Sequence, residues 1–253
     1  MWRRVTSNRS NHSNEFRILP AVRYAIYFTP PENHPLTVAA GQWLGRDAFR
    51  EGDRGNLPIP DDRHDLTADP RRYGFHATLK APFELAEGKT EEELLLALGT
   101  FADRSRCFDI PRIVVGALGP FFALVPENPS EPLQNFATEA VEHFEPFRAA
   151  LSEHDIARRK PEHLSERQRD NLMRWGYPYV MDEFRFHMTL TGPVDDSDMD
   201  RLRQTLEARF ADFTHRPLNI SGLALFVEKT RGAPFTVHTW LPLAQPEKKE
   251  ADR

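Results

Sequence analysis

Cysteine is almost absent: Cys107 is the single thiol in 253 residues. No disulfide can close within the chain, and a lone thiol suits the reducing cytoplasm. Nowhere does an apolar run approach the length of a membrane span. Positive charge is not in excess either. The 33 Lys and Arg are outnumbered by 38 Asp and Glu, for a formal net charge of −5. That balance gives no general attraction to nucleic acid, so any phosphate must be held by a local set of donors. The Gly-x-x-x-x-Gly-Lys loop is missing, which excludes NTP use by a P-loop. His64, His143, His154, His163, His215 and His238 show neither His-x-His nor His-Glu-x-x-His spacing, which weighs against a metallo-hydrolase. Cys107 has no activating motif beside it and reads as structural.

What is present is a globular composition, 40% hydrophobic and 28% charged, with 18 Phe for the core. Residues 1–20 are polar and rich in Ser, Asn and Arg. They read as a disordered leader rather than a secretory signal, with a transit peptide as the alternative. Residues 21–243 read as one catalytic domain, and 244–253 as a charged tail. Within the domain, Arg23 to Thr29 alternates as a strand and Leu36 to Phe49 is expected to be a helix. Arg50 to Arg72 lacks periodicity and reads as a long loop, a candidate lid. Tyr73 to Leu85 is a strand, and Thr90 with Glu93 opens a capped helix to about Arg106. Ile110 to Leu118 and Pro120 to Pro126 form a hairpin. Pro132 to His154 is helical with a break at Pro146. Ser165 with Gln168 caps another helix, to about Trp175. Phe184 to Thr191 is a strand, Asp195 to Asp212 a helix, and Leu218 to Glu228 and Phe235 to Leu243 are closing strands. The order predicts an α+β chain.

A short repeat carries the chemistry. Phe75-His76-Ala77-Thr78-Leu79-Lys80-Ala81-Pro82 and Phe186-His187-Met188-Thr189-Leu190-Thr191-Gly192-Pro193 agree at five of eight positions. Each block precedes a helix and a pair of strands, which predicts two lobes related by a pseudo-two-fold axis. On a strand, residues i and i+2 share a face. His76 projects with Thr78, and His187 with Thr189, while Phe75, Ala77, Leu79, Phe186, Met188 and Leu190 point to the opposite, core side. Two imidazoles across a phosphorus suit in-line displacement. One takes a proton from the nucleophile and the other gives one to the leaving oxygen. The Thr hydroxyls are positioned to donate to the phosphate oxygens. This scheme needs no metal and no cofactor.

The two His-x-Thr motifs resemble those of the 2H phosphoesterase superfamily, which includes 2′-5′ RNA ligase-like proteins and cyclic nucleotide phosphodiesterases. The resemblance implies a bilobal α+β fold with antiparallel sheets, flanking helices and a central cleft holding one motif from each lobe. The longer string Arg72 to Lys80 is similar to a bacterial branch of phosphonate-metabolism proteins found with carbon–phosphorus lyase genes. That likeness implies a small ribosyl cyclic phosphate as substrate.

Around the motifs, several residues have two readings. Lys80, at i+4 from His76, either meets the substrate phosphate or snorkels at a strand end. Arg185, at i−2 from His187, is a candidate substrate contact. Tyr24 is either a ligand contact or part of the core. Tyr73 falls on the wrong face unless the strand bends at Gly74. Tyr177 and Tyr179 either stack on a sugar or base, or anchor a turn. Arg158-Arg159-Lys160 reads more readily as a surface loop than as a phosphate site, and Lys229 and Arg231 as solvated charges. The partner expected is a small phosphorylated sugar or nucleotide. RNA ends and a non-catalytic binding role are the alternatives, no membrane partner is expected, and no oligomeric state is read from these motifs.

Overall fold

The computed structural model describes residues 22–245. The expected leader and nearly all of the expected tail lie outside these residues. Strand β1 (Arg23–Phe28) is followed by helices α1 (Pro35–Leu44), α2 (Asp61–His64) and α3 (Ala68–Tyr73), then strand β2 (Ala77–Phe83). Helix α4 (Glu91–Arg104) leads to β3 (Phe108–Ile110) and the hairpin β4 (Ile113–Leu118) and β5 (Phe121–Pro126). Three helices follow, α5 (Glu131–Phe144), α6 (Glu153–Arg158) and α7 (Glu166–Trp175). The chain closes with β6 (Met188–Thr189), α8 (Met199–Arg209), β7 (Leu218–Ile220) and the hairpin β8 (Gly222–Glu228) and β9 (Thr236–Pro242).

Every described strand pairing is antiparallel, in three sheets ordered β2-β1-β8-β9, β4-β5-β6 and β3-β7. The two halves exchange hairpins. The strand that follows His76, β2, lies in the sheet completed by β8 and β9 from the second half. The strand that follows His187, β6, is paired with β5 of the first half. The equivalent strands β3 and β7 pair with each other. The expected α+β architecture is present, with the halves interleaved.

The core confirms the alternation read from the repeat. Phe75, Ala77, Leu79, Phe186, Met188 and Leu190 are all buried in one apolar cluster that runs through both halves. Phe28 of β1 meets Phe186 across it, with ring centroids 6.0 Å apart. Burying side chains of this size contributes roughly 1.5–3 kcal/mol each, so one continuous core ties the two motifs together. Helix α1 is tied to the second motif by its Trp43 indole, which donates to the Leu190 carbonyl at 2.8 Å.

Helix ends follow local chemistry. Thr90 and Glu93 form the capping box expected for α4, and Ser165 and Gln168 form that of α7. Pro146 sits in a 3-10 turn that ends α5. The expected loop from Arg50 to Arg72 is more ordered than its composition suggests. It holds a 3-10 turn at Gly52–Gly55 together with α2 and α3. It is pinned by a bridge between Arg46 and Asn56 and by the buried Thr67 hydroxyl, which donates to the Arg63 carbonyl. The strand expected from Phe184 is also shorter, because Met181–Glu183 forms a 3-10 turn and only Met188 and Thr189 join the ladder.

Candidate active site

Both histidines are held the same way. The Nδ1 of His76 bonds the Gly74 carbonyl at 2.9 Å, and that of His187 bonds the Arg185 carbonyl at 2.7 Å. A carbonyl only accepts, so each Nδ1 carries the proton and each Nε2 presents a lone pair. The His76 Nε2 lies 3.3 Å from the Thr78 hydroxyl, as the His-x-Thr spacing predicts. Thr78 and Thr189 are both half-buried, at the border between core and solvent.

Backbone geometry before β2 explains the first of these bonds. Gly74 has φ 77° and ψ 175°, and a Cβ there would overlap that of Ala48. Only glycine adopts this conformation readily. It ends α3 and turns the chain, so that Tyr73 and His76 meet at a ring distance of 6.0 Å. Buried Arg46 braces the turn by donating to the Arg71, Arg72 and Phe235 carbonyls.

His76 rests on an aromatic floor. Tyr27 lies opposite Thr78 in the ladder and stacks on the imidazole with centroids 3.9 Å apart. Phe226 and Phe235 extend the floor from beneath Tyr27. Burial first, and the nearby hydroxyls of Tyr73 and Tyr177 next, hold the Tyr27 phenol well above its ordinary pKa. Burial likewise lowers the His76 pKa to about 4. The Gly74 bond opposes this, and the His187 imidazole adds to it. His187 is lowered too, by burial against the opposing bond from Arg185. Both shifts favour the neutral imidazole.

The flanking residues divide. Tyr73 joins the His76 region and stacks on Phe235 at 5.3 Å, while Tyr177 packs edge-on against Tyr179 at 5.6 Å and lies beneath the Arg159 guanidinium. Lys80 does not share the face of His76. The β1–β2 register shifts between Ile26↔Lys80 and Tyr27↔Thr78, which inserts one extra residue in β2 and turns Lys80 inward. It is 1% exposed and is neutralised beneath α5, paired with Glu145 and donating to the Val141 carbonyl at 3.2 Å. Lys80 thus neither meets the cleft nor snorkels. Tyr24 is buried against Phe83, and its hydroxyl donates to Glu91 at 2.7 Å, so it belongs to the core reading. The guanidinium of Arg185 donates to the Asp182 and Phe184 carbonyls and lines a groove with Phe184 and Phe186. Its backbone carbonyl is the group that orients His187.

This chain matches, over residues 78–236, the family described as "Protein of unknown function (DUF1045)". The chain belongs to that family. It is 38% identical over 230 residues to the ribose 1,5-bisphosphate phosphokinase PhnN of Janthinobacterium sp. (strain Marseille), covering 88% of this chain and 51% of that protein. It is 35% identical over 233 residues to the protein of the same name from Laribacter hongkongensis (strain HLHK9), covering 88% and 53%. The chain thus spans about half the length of either relative. Among solved structures, E. coli LigT complexed with 3′-AMP is similar with a TM-score of 0.39 and 15% identity, over 89% of this chain and 99% of that one. TT0787 of Thermus thermophilus is similar with a TM-score of 0.41 and 17% identity, over 88% and 98%.

Several residues of the DUF1045 chain's site region escape a linear reading. Tyr27 has no motif. Its contact with His76 comes from strand pairing, for which the only sequence signal is its β-rich run. Arg23 and Arg72 converge on Glu228, which is wholly buried. Burial favours the neutral acid, but bonds from Arg23, Arg72 and the Gly232 amide outweigh it and hold Glu228 below its ordinary pKa. Lys229 and Arg231 are paired rather than merely solvated, Lys229 with Glu51 and Arg231 with Glu84 and Asp155. Among the described residues no helix is long and apolar enough to cross a membrane.

Proposed function

We propose that this chain is a phosphodiesterase that opens a small ribosyl cyclic phosphate by acid–base catalysis between His76 and His187. The observation that carries this reading is the matched tautomer: both Nδ1 atoms are tied to the carbonyl two residues earlier, so each Nε2 carries the lone pair. A neutral Nε2 takes a proton from water as its oxygen attacks phosphorus. The other imidazole, protonated once the anionic substrate raises its pKa, gives a proton to the departing ring oxygen. One P–O bond forms, one breaks, and a phosphomonoester remains. Thr78 and Thr189 donate to the non-bridging oxygens, where charge accumulates. No metal is needed for any of these steps.

The substrate class rests on two further points. The relatives' names specify a ribose 1,5-bisphosphate, and opening a ribosyl 1,2-cyclic phosphate at its 2-oxygen leaves phosphate on the same carbon 1. The phosphokinase named there needs a nucleotide site, and this chain contains no Gly-x-x-x-x-Gly-Lys loop. We therefore assign that activity to the part of the relatives outside the match. A cytoplasmic setting accords with the single cysteine.

The test is turnover of a ribosyl 1,2-cyclic phosphate and of 2′,3′-cyclic nucleotides with EDTA present, for the native chain, His76→Ala and His187→Ala. Turnover that persists in EDTA and falls in both variants supports the reading. Turnover unchanged in either variant overturns it.

A further inference from the structure

We infer that a cavity lined by Arg23, Arg148, Arg158, Arg159 and Arg231 binds a second phosphate group on the same substrate. This rests on the phosphodiesterase reading above. The cavity has a volume of about 290 Å³, at the small end of ligand pockets, which run from roughly 300 Å³ upward. It suits a sugar phosphate, not a polymer.

Its donors are not all engaged. Arg148 is bonded to Glu145, and Arg231 to Glu84 and Asp155, so these two are braced walls. Arg23 is 4% exposed and donates through Nε to Glu228, while its Nη2 is buried without any hydrogen-bond partner. A buried guanidinium N–H left unpaired is costly, and an anion in the cavity would remove that cost. Arg158 and Arg159 make no ion pair among the described residues. Burial first, then the like charges of Arg159 and Arg23, lower the Arg158 pKa. Two carboxylates also line the cavity, Glu84 and Asp155, and both are taken up by Arg231.

The cavity adjoins the histidine site through one aromatic layer. The guanidinium of Arg159 sits 4.9 Å over the Tyr177 ring, and that of Arg23 sits 5.6 Å over the Phe235 ring, which stacks on Tyr73 at 5.3 Å. The Tyr73 ring is in turn 6.0 Å from that of His76. A cyclic phosphate between the histidines would thus have its sugar against Tyr73 and Tyr177, and a phosphomonoester at the far end of the sugar would enter the arginines.

The experiment compares kcat/KM for a ribosyl 1,2-cyclic phosphate with and without a 5-phosphate, in the native chain, Arg158→Gln and Arg159→Gln. One charge-assisted hydrogen bond corresponds to roughly a 10- to 100-fold preference. The native chain should show that preference for the 5-phosphorylated compound. The variants should lose that preference, with kcat/KM for the 5-phosphorylated compound falling toward that for the unphosphorylated one. Equal kcat/KM for the two compounds in the native chain overturns the inference. That result, with inorganic phosphate still bound and lost in the arginine variants, assigns the cavity to a free anion instead. If neither compound turns over, calorimetry with ribose 5-phosphate decides separately. Binding that survives His76→Ala and is lost in Arg158→Gln upholds the subsite while the phosphodiesterase reading falls, and binding unaffected by the arginine variants overturns the subsite.

Discussion

Tyr27 and His76 lie face to face, with ring centroids 3.9 Å apart and planes inclined by 23°. The tyrosine is 1% exposed and its ring forms the floor on which the imidazole rests. The aromatic face, more than the hydroxyl, performs this positioning. Tyr27→Phe should keep most of the turnover. Tyr27→Leu should lower kcat about 10-fold or more through misalignment, with a smaller change in KM. Steady-state kinetics of the two variants checks this.

Removing either imidazole should cost about 10²–10⁴ in kcat, the usual range for a positioned acid or base. The double variant His76→Ala/His187→Ala should be little worse than either single one, because the two groups act as a unit. Single-turnover rates on the best cyclic phosphate measure the three cases. Losses that multiply would argue for independent roles.

Free and substrate-bound protein should differ in pH dependence. Burial holds His76 near pKa 4 in the unliganded chain, and a bound phosphate anion raises both histidines. The acid limb of kcat/KM, which reports the free protein, should lie below that of kcat. Stability follows a related rule. The folded His76 binds a proton less readily than the unfolded one, whose pKa is about 6.5. Its contribution is therefore intact above pH ~6.5 and is lost as pH falls toward 4. Urea midpoints of the native chain should drop more steeply across that window than those of His76→Gln.

Glu145→Gln and Lys80→Met should behave unequally. The first leaves the buried Lys80 ammonium without its carboxylate and should cost about 3 kcal/mol. The second leaves Glu145 still bonded to Arg148 and should cost less. Folded Lys80→Met should retain native kcat, since the ammonium lies under α5. Denaturant unfolding with activity assays on the folded fraction separates the two effects. A fall in kcat with unchanged stability would return Lys80 to the substrate.

Gly74→Ala should lower both stability and kcat. The new methyl would overlap Ala48, and relief of that overlap would shift the carbonyl that fixes the His76 tautomer. A strained backbone position of this kind costs about 1–3 kcal/mol. Thermal unfolding and kcat measured together should fall together.

The motifs were legible because their rule is local. Two-residue alternation assigns Phe75, Ala77 and Leu79 to the core, and His76 and Thr78 to the other side. The rule fails one step later at Lys80, because a register shift in the β1–β2 ladder breaks the alternation and nothing in the string announces it. Capping boxes at Thr90 and Ser165 were equally readable, each being complete within four residues. Arg23 and Glu228 were not, since they are partners across 205 positions and meet only through the pairing of β1 with β8. Arg158 and Arg159 look like an ordinary basic turn until the fold brings Arg23, Arg148 and Arg231 around them.

The exchange of hairpins sets a timetable for synthesis. Residues 73–83 leave the ribosome early, yet the floor beneath His76 needs Phe226 of β8 and Phe235 of the turn before β9. Throughout translation the first motif has its sequence but not its support, and β1 offers an unpaired edge where β8 belongs. Damage near residue 230 would therefore be felt at residue 76. A premature stop there would yield a chain with both histidines translated and the first left without its floor.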